Sequence, residues 1–546
     1  MGMSHESKIR NWLLVGILVL AAGLRWSRFG DIPHGLNRDE AALGYTAYLL
    51  GETGRDEHGR RWPIRFESFG DWKQPVYIYL LIPVVKILGL SESAVRFPSF
   101  LAGLALIFSA FFIAKEILPK KYSGWGGLLA VLLLSFNPWH FHFSRLALEA
   151  MVASAFFSWA VWWLVRYREK RRVLVGYGLL VLTIFTYHAA LVTVPLWLIG
   201  YLWWFRKKND EGKLRLMGGI LIFFLATMWF WRAWHSQERV KAVGTTIFQM
   251  TNEQKWEAIY RYRVQWWSSL WHNQYVYFLR TVGKNYLLSF QPMFLIKQGG
   301  SHPHYNLPGF GNFLWPEVVL TVIGCWWFFR QLTPKRKVML WWLLVVPVAA
   351  AVTKDGVHST REVFWLPVVQ ILAAGGAVAL VRHWRWSIKQ VVLVVSVVTV
   401  LAAFPFYQYY FGRYRIVSDE RFFGYMKDVW LSLDKISEHY DKIYVTFPFE
   451  SPYMMYAFYT KMSTDKFITQ VQYWPVDEWG FRHVSQLGQL TFVPDTKDLI
   501  SKHPDVIDRS LVISRQEEMP AWIRPLVVWD NLGNQPEVVA WEGNQL

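Results

Sequence analysis

The chain has 546 residues, 53% of them hydrophobic and 18% aromatic, with 33 tryptophans, one cysteine and a formal net charge of +18. Tryptophan at that density, with apolar residues in long runs, excludes an ordinary soluble globular protein and a disordered chain. The lone Cys325 excludes an intramolecular disulfide and any cysteine-based metal centre. The positive charge sits in short Lys/Arg runs between apolar segments. That favours a membrane protein over a nucleic-acid binder, and no RNP, zinc-finger or helix-turn-helix pattern competes with it.

A helix crosses a bilayer with about 20 apolar residues, and with as few as about 17. In chain order the expected spans are 11–29, 97–115, 124–139, 147–166, 173–190, 191–205, 214–234, 314–331, 337–353, 362–381 and 389–410. The first, in "KIRNWLLVGILVLAAGLRW", has the basic start of a signal peptide, but so many apolar segments follow that it is expected to stay as a signal anchor. The stretch 75–90, "PVYIYLLIPVVKILGL", is short and carries Pro83 and Lys86. If it does not cross, "SHESKIR", "KEILPKKYS", "RYREKRR", "RKKNDEGKLR", "RQLTPKRK" and "RHWRWSIK" all fall on one side, the cytoplasmic one. The segment is therefore expected to be an interfacial or re-entrant helix. The N-terminus is then cytoplasmic, and 30–96, 235–313 and 411–546 lie outside. In the tail, "DKIYVTF" and "SLVISR" read as strands and "SPYMMYAFYTKM" as a helix between them, which predicts a small α/β domain. No internal repeat shows.

The expected external side collects the polar residues that stand out. Asp39 and Glu40 follow the first span. Glu67, Asp71 and Lys73 come later in the same loop, in "FESFGDWKQP", and Arg96 opens the second span. "NPWHFHFSRLALEA" contributes His140, His142, Arg145 and Glu149; "TYHAA" contributes Tyr187 and His188; "TKDGVHSTRE" contributes Lys354, Asp355, His358, Arg361 and Glu362. Singly, an Arg or His at a helix end snorkels to the headgroups. As a set drawn from several external turns, they fit one site at membrane depth. A zinc site does not fit His140 and His142, which diverge on a helix at that spacing, and "GKNY" and "GFGN" lack the rest of a phosphate loop.

The order of these elements resembles the GT-C glycosyltransferases. "RDEAALGYTAYLLGETGRDEHGRRWPIRF", "DWKQP" and "VRFPSFLAG" carry the likeness, with "NPWHFHFSRLALEA" and "PHYNLPGFGNFLWPEVVLTVIG" in support. The branch resembled is that of the protein O-mannosyltransferases and the lipid A aminoarabinose transferases, over roughly residues 8 to 410. The resemblance implies an all-α polytopic membrane domain of GT-C type over 1–410, with external loops 30–96 and 235–313; the tail over 411–546, expected from its strands to be a small extracytoplasmic α/β domain, matches only in general character. The resemblance implies an inverting transfer of a sugar from a polyprenyl-phosphate donor to an extracytoplasmic hydroxyl of a protein, lipid or glycan, at a bacterial cell membrane.

By motif position Asp39 resembles the catalytic base, with Glu40 orienting it or the sugar. Lys73, Arg96, Lys354, His358 and Arg361 are candidates for the donor phosphate. Glu67, Asp71, His140, Arg145, Tyr187 and His188 are further site candidates. No metal ligands are assigned, although a divalent cation is an option. One departure is plain: Trp72 precedes Lys73 where related enzymes carry an acid, and Gln74 replaces the usual first proline. The competing classes are a transporter or lipid flippase, which predicts inverted repeats and broken helices, and a structural or sensory membrane protein, which leaves the ordered motifs unexplained.

Overall fold

The computed structural model describes residues 5–167, 171–206, 210–235, 252–262, 266–447, 451–476, 482–502 and 509–545. Parts of the basic runs at 166–172 and 206–215, and of the expected external loop 235–313, lie outside the described residues. The chain divides into two compact units: Met1–Ser27, Ser99–Ser144 and Leu148–Tyr407 form the first, and Arg28–Pro98, Arg145–Ala147 and Gln408–Leu546 the second.

The first unit is helical. Its helices include α1 (His5–Trp26), most of α4 (Glu92–Ile117), α5 (Lys120–Phe136), α6 (Pro138–Phe143), α7 (Glu149–Arg166), α8 (Val173–Ile184), α9 (Ala190–Trp204) and α10 (Asp210–His235), then Trp315–Arg330, Pro334–Val345, Val368–Trp384 and most of Ile388–Gly412. Every expected span falls on one of these. Among the described residues, four segments are long and apolar enough to cross a membrane by themselves: His5–Trp26, Glu92–Ile117, Val363–Trp384 and Ile388–Gly412. Shorter apolar helices include Val173–Ile184 and Ala190–Trp204. The expected span 337–353 is interrupted at Val346–Pro347 between Pro334–Val345 and Val348–Ala351. Trp315–Arg330 and Val368–Trp384 pack backbone to backbone. A Cβ on Gly324 would sit 1.9 Å from the Leu372 carbonyl, and one on Gly376 2.1 Å from that of Leu320. Small residues permit such approaches between apolar helices. Leu393, Leu401 and Phe404 stay exposed on Ile388–Gly412, as on a helix that faces hydrocarbon.

The second unit joins the loop after α1 to the C-terminal tail. It holds α2 (Arg38–Thr53), the hairpin of β1 (Phe66–Ser68) and β2 (Asp71–Lys73), α3 (Pro75–Leu88) and the first residues of α4. The hairpin turns at Phe69 and Gly70, with φ of 60° and 85°. Positive φ at both turn residues matches the twist of a two-residue hairpin. In the tail, β3 (Lys442–Val445), β4 (Val471–Tyr473), β5 (Val484–Leu487), β6 (Leu490–Phe492), β7 (Ser510–Arg515), β8 (Val527–Asp530) and β9 (Pro536–Glu542) form one sheet in the order β4-β5-β6-β3-β7-β9-β8. β3 runs parallel to both β6 and β7, while the outer pairs are antiparallel. The two strands and the helix expected from sequence are β3, β7 and Pro452–Tyr459. Tyr444, Val512, Val539 and Trp541 share a core on the sheet.

The expected external loop 30–96 thus groups by its contacts with the tail. Tyr45 donates to the Met462 carbonyl at 2.9 Å. A Cβ on Gly44 would lie 2.7 Å from the Phe458 ring, so glycine lets α2 and Pro452–Tyr459 approach. Arg415 pairs with Asp31 at 2.8 Å, His34 with Asp419 at 2.7 Å and Lys427 with Glu92 at 2.9 Å.

Candidate active site

The start of α2 explains why two acids stand side by side. Asn37 caps the helix: its side-chain oxygen accepts from the amides of Asp39 at 2.9 Å and Glu40 at 3.0 Å. Glu40 reaches back to accept from the Asn37 amide at 3.3 Å, which closes a capping box. Consecutive helical residues project about 100° apart. One acid therefore turns inward and the other outward. Glu40 is fully buried, whereas the Asp39 side chain is 41% exposed.

Glu40 is held on every side. Arg96 donates to it twice, Nε to Oε1 and Nη2 to Oε2, each at 3.0 Å, and the Ala147 amide donates to Oε1 at 2.7 Å. Arg96 uses its remaining donors on the carbonyls of Pro33 at 2.7 Å and Gly35 at 2.5 Å. It is fully buried. Arg96, expected at the donor phosphate, has its fork occupied by a carboxylate and the loop before α2. Glu40 is likewise enclosed rather than presented. A bidentate pair of this kind fixes geometry as well as charge. Arg145, another candidate, is also spent on backbone. It donates to the carbonyls of Ile32 and Arg28, both at 2.9 Å, and its guanidinium lies 5.4 Å from the Tyr410 ring.

Asp39 meets Lys73. Lys73 Nζ donates to Asp39 Oδ1 at 2.7 Å, and the lysine side chain is only 9% exposed. The hairpin turn delivers it, since Lys73 ends β2 and Gln74 caps α3. Glu67 lies on β1 in a different contact set: Arg60 donates to it at 3.0 Å and Arg482 pairs with it at 3.3 Å. Asp71 opens β2, and its side chain lies outside what the structure describes.

The remaining candidates belong to the first unit. His140 is buried. Arg25 donates to its Nδ1 at 2.8 Å, so Nε2 carries the proton and donates to the Gly103 carbonyl at 3.2 Å. Burial, and then the Arg25 charge, hold its imidazole well below its usual range. Tyr187 donates to Thr360 at 2.9 Å, and Thr360 contacts His358 Nδ1 at 2.9 Å. His188 is half-buried in the same turn as Tyr187. Arg361 braces its own turn, donating to Thr353 at 2.8 Å and to Asp355 at 3.0 Å, while Lys354 is exposed. Among the described residues no group of three or more His, Cys, Asp or Glu is placed to hold a metal ion. Sequence reasoning missed Asn37, although Asn-x-x-Glu is a capping signature. It also missed Arg25 and Thr360, whose roles depend on long-range neighbours that no local pattern reveals.

Residues 73–231 match the family model described as dolichyl-phosphate-mannose-protein mannosyltransferase. Over nearly the whole chain, the structure is similar to that of ArnT from Cupriavidus metallidurans in the apo state. The TM-score is 0.58 at 12% identity, covering 99% of each chain. The chain carries the GT-C fold. A second ArnT structure from the same organism, bound to undecaprenyl phosphate, matches with a TM-score of 0.55 at 13% identity, covering 97% of this chain and 98% of that one. The Archaeoglobus fulgidus oligosaccharyltransferase complex with Zn and sulfate matches with a TM-score of 0.50 at 10% identity, covering 91% of this chain and 68% of that one. No curated protein matches the chain by sequence. Within the GT-C proteins, the resemblance is to the branch of ArnT and the protein O-mannosyltransferases.

Proposed function

We propose that this GT-C protein is an inverting membrane glycosyltransferase that moves a sugar from a polyprenyl-phosphate donor to a hydroxyl on the extracytoplasmic side. The observation that carries the reading is the Asp39–Lys73 pair at 2.7 Å, with the carboxylate exposed and the lysine nearly buried. A hydroxyl is a poor nucleophile until a base takes its proton. Asp39 accepts that proton as the acceptor oxygen bonds to the anomeric carbon. The bond from that carbon to the phosphate oxygen breaks on the opposite face, and its electron pair leaves with the polyprenyl phosphate. Lys73 supplies positive charge where the departing phosphate gains negative charge. Glu40 and Arg96 act as positioning residues that fix the first turn of α2. Lys354, His358 and Arg361 remain donor-side candidates from the first unit. The ArnT relative bound to undecaprenyl phosphate supports the donor class, and the mannosyltransferase family model supports group transfer.

The test supplies radiolabelled polyprenyl-phosphate sugars to membranes that contain the protein, with endogenous acceptors present. Label is expected to leave the donor and to enter a protein, lipid or glycan fraction. Movement of the intact donor across the bilayer, with label still attached, would instead identify a flippase and overturn the assignment.

A further inference from the structure

In the first unit, the turn 358–360 and the segment 299–306 are tied together by a polar network. Ser359 Oγ donates to the Asn306 side-chain oxygen at 2.6 Å, which also accepts from the Gly300 amide at 2.8 Å. Asn306 Nδ2 donates to the His302 carbonyl at 2.8 Å. This docking brings the rings of His302 and Tyr305 to 5.9 and 5.7 Å from the ring of His358. The first two rings are 4.7 Å apart at an interplanar angle of 31°, and both are half-buried.

The proton on His358 is located by its partners. The Thr360 amide contacts Nδ1 at 3.3 Å, and a backbone N–H can only donate, so Nδ1 is an acceptor. Thr360 Oγ1, at 2.9 Å, donates to the same atom and accepts from Tyr187 at 2.9 Å. The chain Tyr187→Thr360→His358 therefore places the ring proton on Nε2. Burial, assisted by Arg361 and His302, keeps the imidazole well below its usual range, so it is neutral near pH 7. The residue is 8% exposed, and among the described residues Nε2 makes no hydrogen bond. Nε2 is not among the enclosed polar atoms that lack a partner, so its N–H is open to a bound hydroxyl.

We propose that His358, His302 and Tyr305 form a sugar-binding subsite, in which His358 donates from Nε2 to a hydroxyl of the donor's sugar. The inference rests on the glycosyltransferase reading and deepens it. A neutral N–H beside half-exposed rings suits a hydroxylated ring with apolar C–H faces, whereas a phosphate favours cations. It also gives Tyr187 and Thr360 a purpose as positioning residues, since they fix the tautomer without touching the sugar.

The experiment compares binding of two probes to the full chain in detergent: polyprenyl phosphate alone, and polyprenyl phosphate carrying one mannose, glucose or galactose. Tyr187→Phe and Thr360→Val are expected to weaken the preferred glycosylated lipid by about 5- to 10-fold, as loss of one hydrogen bond does. His358→Ala should weaken it by at least about 10-fold. Binding of the bare phosphate should not change, and Thr360→Ser, which keeps the hydroxyl, should restore the sugar preference. Equal losses for both probes would put the cluster on the phosphate and overturn the subsite. Unchanged binding of both probes in all three variants would also overturn it. A native protein that binds bare and glycosylated lipid equally would refute the sugar subsite while leaving lipid-phosphate recognition intact. A native protein that binds neither probe would overturn the functional reading, and the subsite with it.

Discussion

Asp39 and Glu40 are neighbours in the chain and opposites in the structure. Glu40 is buried against Arg96, with the Ala147 amide and the loop carbonyls completing the set. Asp39 is 41% exposed and has Lys73 as its ion-pair partner. The difference separates two uses of charge. A fully buried pair is a poor source of net stability, because desolvation offsets attraction, but breaking it is expensive. A half-exposed pair costs less to open, so its carboxylate is accessible to a substrate proton. The α2 cap builds both at once, by turning one acid inward and the next outward.

The largest expected effect breaks the buried pair. Arg96→Ala leaves the Glu40 carboxylate enclosed without its cation, and should destabilise the protein by about 3–5 kcal/mol. Adding Glu40→Gln should recover much of that loss, because the orphaned charge is then gone. Thermal unfolding in detergent measures both. If Arg96→Ala unfolds like the native protein but loses donor affinity, Arg96 is a ligand-binding residue and the contrast fails.

The exposed pair should behave the other way. Asp39→Asn should unfold like the native protein, while sugar transfer falls by about 100-fold, as loss of a general base typically requires. Near-native turnover would place the base elsewhere. Lys73→Ala should come next, with transfer reduced by about 10-fold, the scale of one charge-assisted hydrogen bond. The loss should appear in kcat as well as in donor affinity if the lysine acts on the departing phosphate. A change in KM alone would reduce Lys73 to a docking contact.

The apolar segments were legible because membrane helices announce themselves locally: each expected span overlaps a helix, although 337–353 is broken at Val346–Pro347. The strands β3 and β7 were also readable, since central strands covered on both faces are continuous apolar runs. The other strands are short and half-polar, among them Val471–Tyr473 and Leu490–Phe492, and carry no comparable signal. At the site, the sequence marked Asp39 and Lys73 but could not separate them from Glu40, Arg96 and Arg145. All five are charged residues on the expected external side. What distinguishes them is partner choice across long sequence separations, such as Arg145 with Arg28 and Ile32. Periodicity and charge counts do not report such pairings.

Glu57 sharpens the comparison from a third side, with the smallest expected effect. It is buried like Glu40, at 3% exposure, but among the described residues no guanidinium answers it. Thr46 donates to Oε2 at 2.9 Å, and Oε1 has no hydrogen-bond partner among the described residues. Burial raises its carboxyl above the usual range; His58 opposes that shift and Asp56 adds to it. The sign follows from linkage. Below the unfolded-state pKa, near 4.5, the group is protonated in both states and contributes no pH dependence. Above that point the unfolded chain releases the proton more readily than the folded one, so this group erodes stability as pH rises toward the folded pKa. Glu57→Gln removes the titration and keeps an oxygen for Thr46. Its melting temperature relative to the native protein should therefore improve as the pH is raised from 5. A constant offset as the pH rises would mean that Glu57 is ionised in the fold, with its charge compensated as fully as that of Glu40.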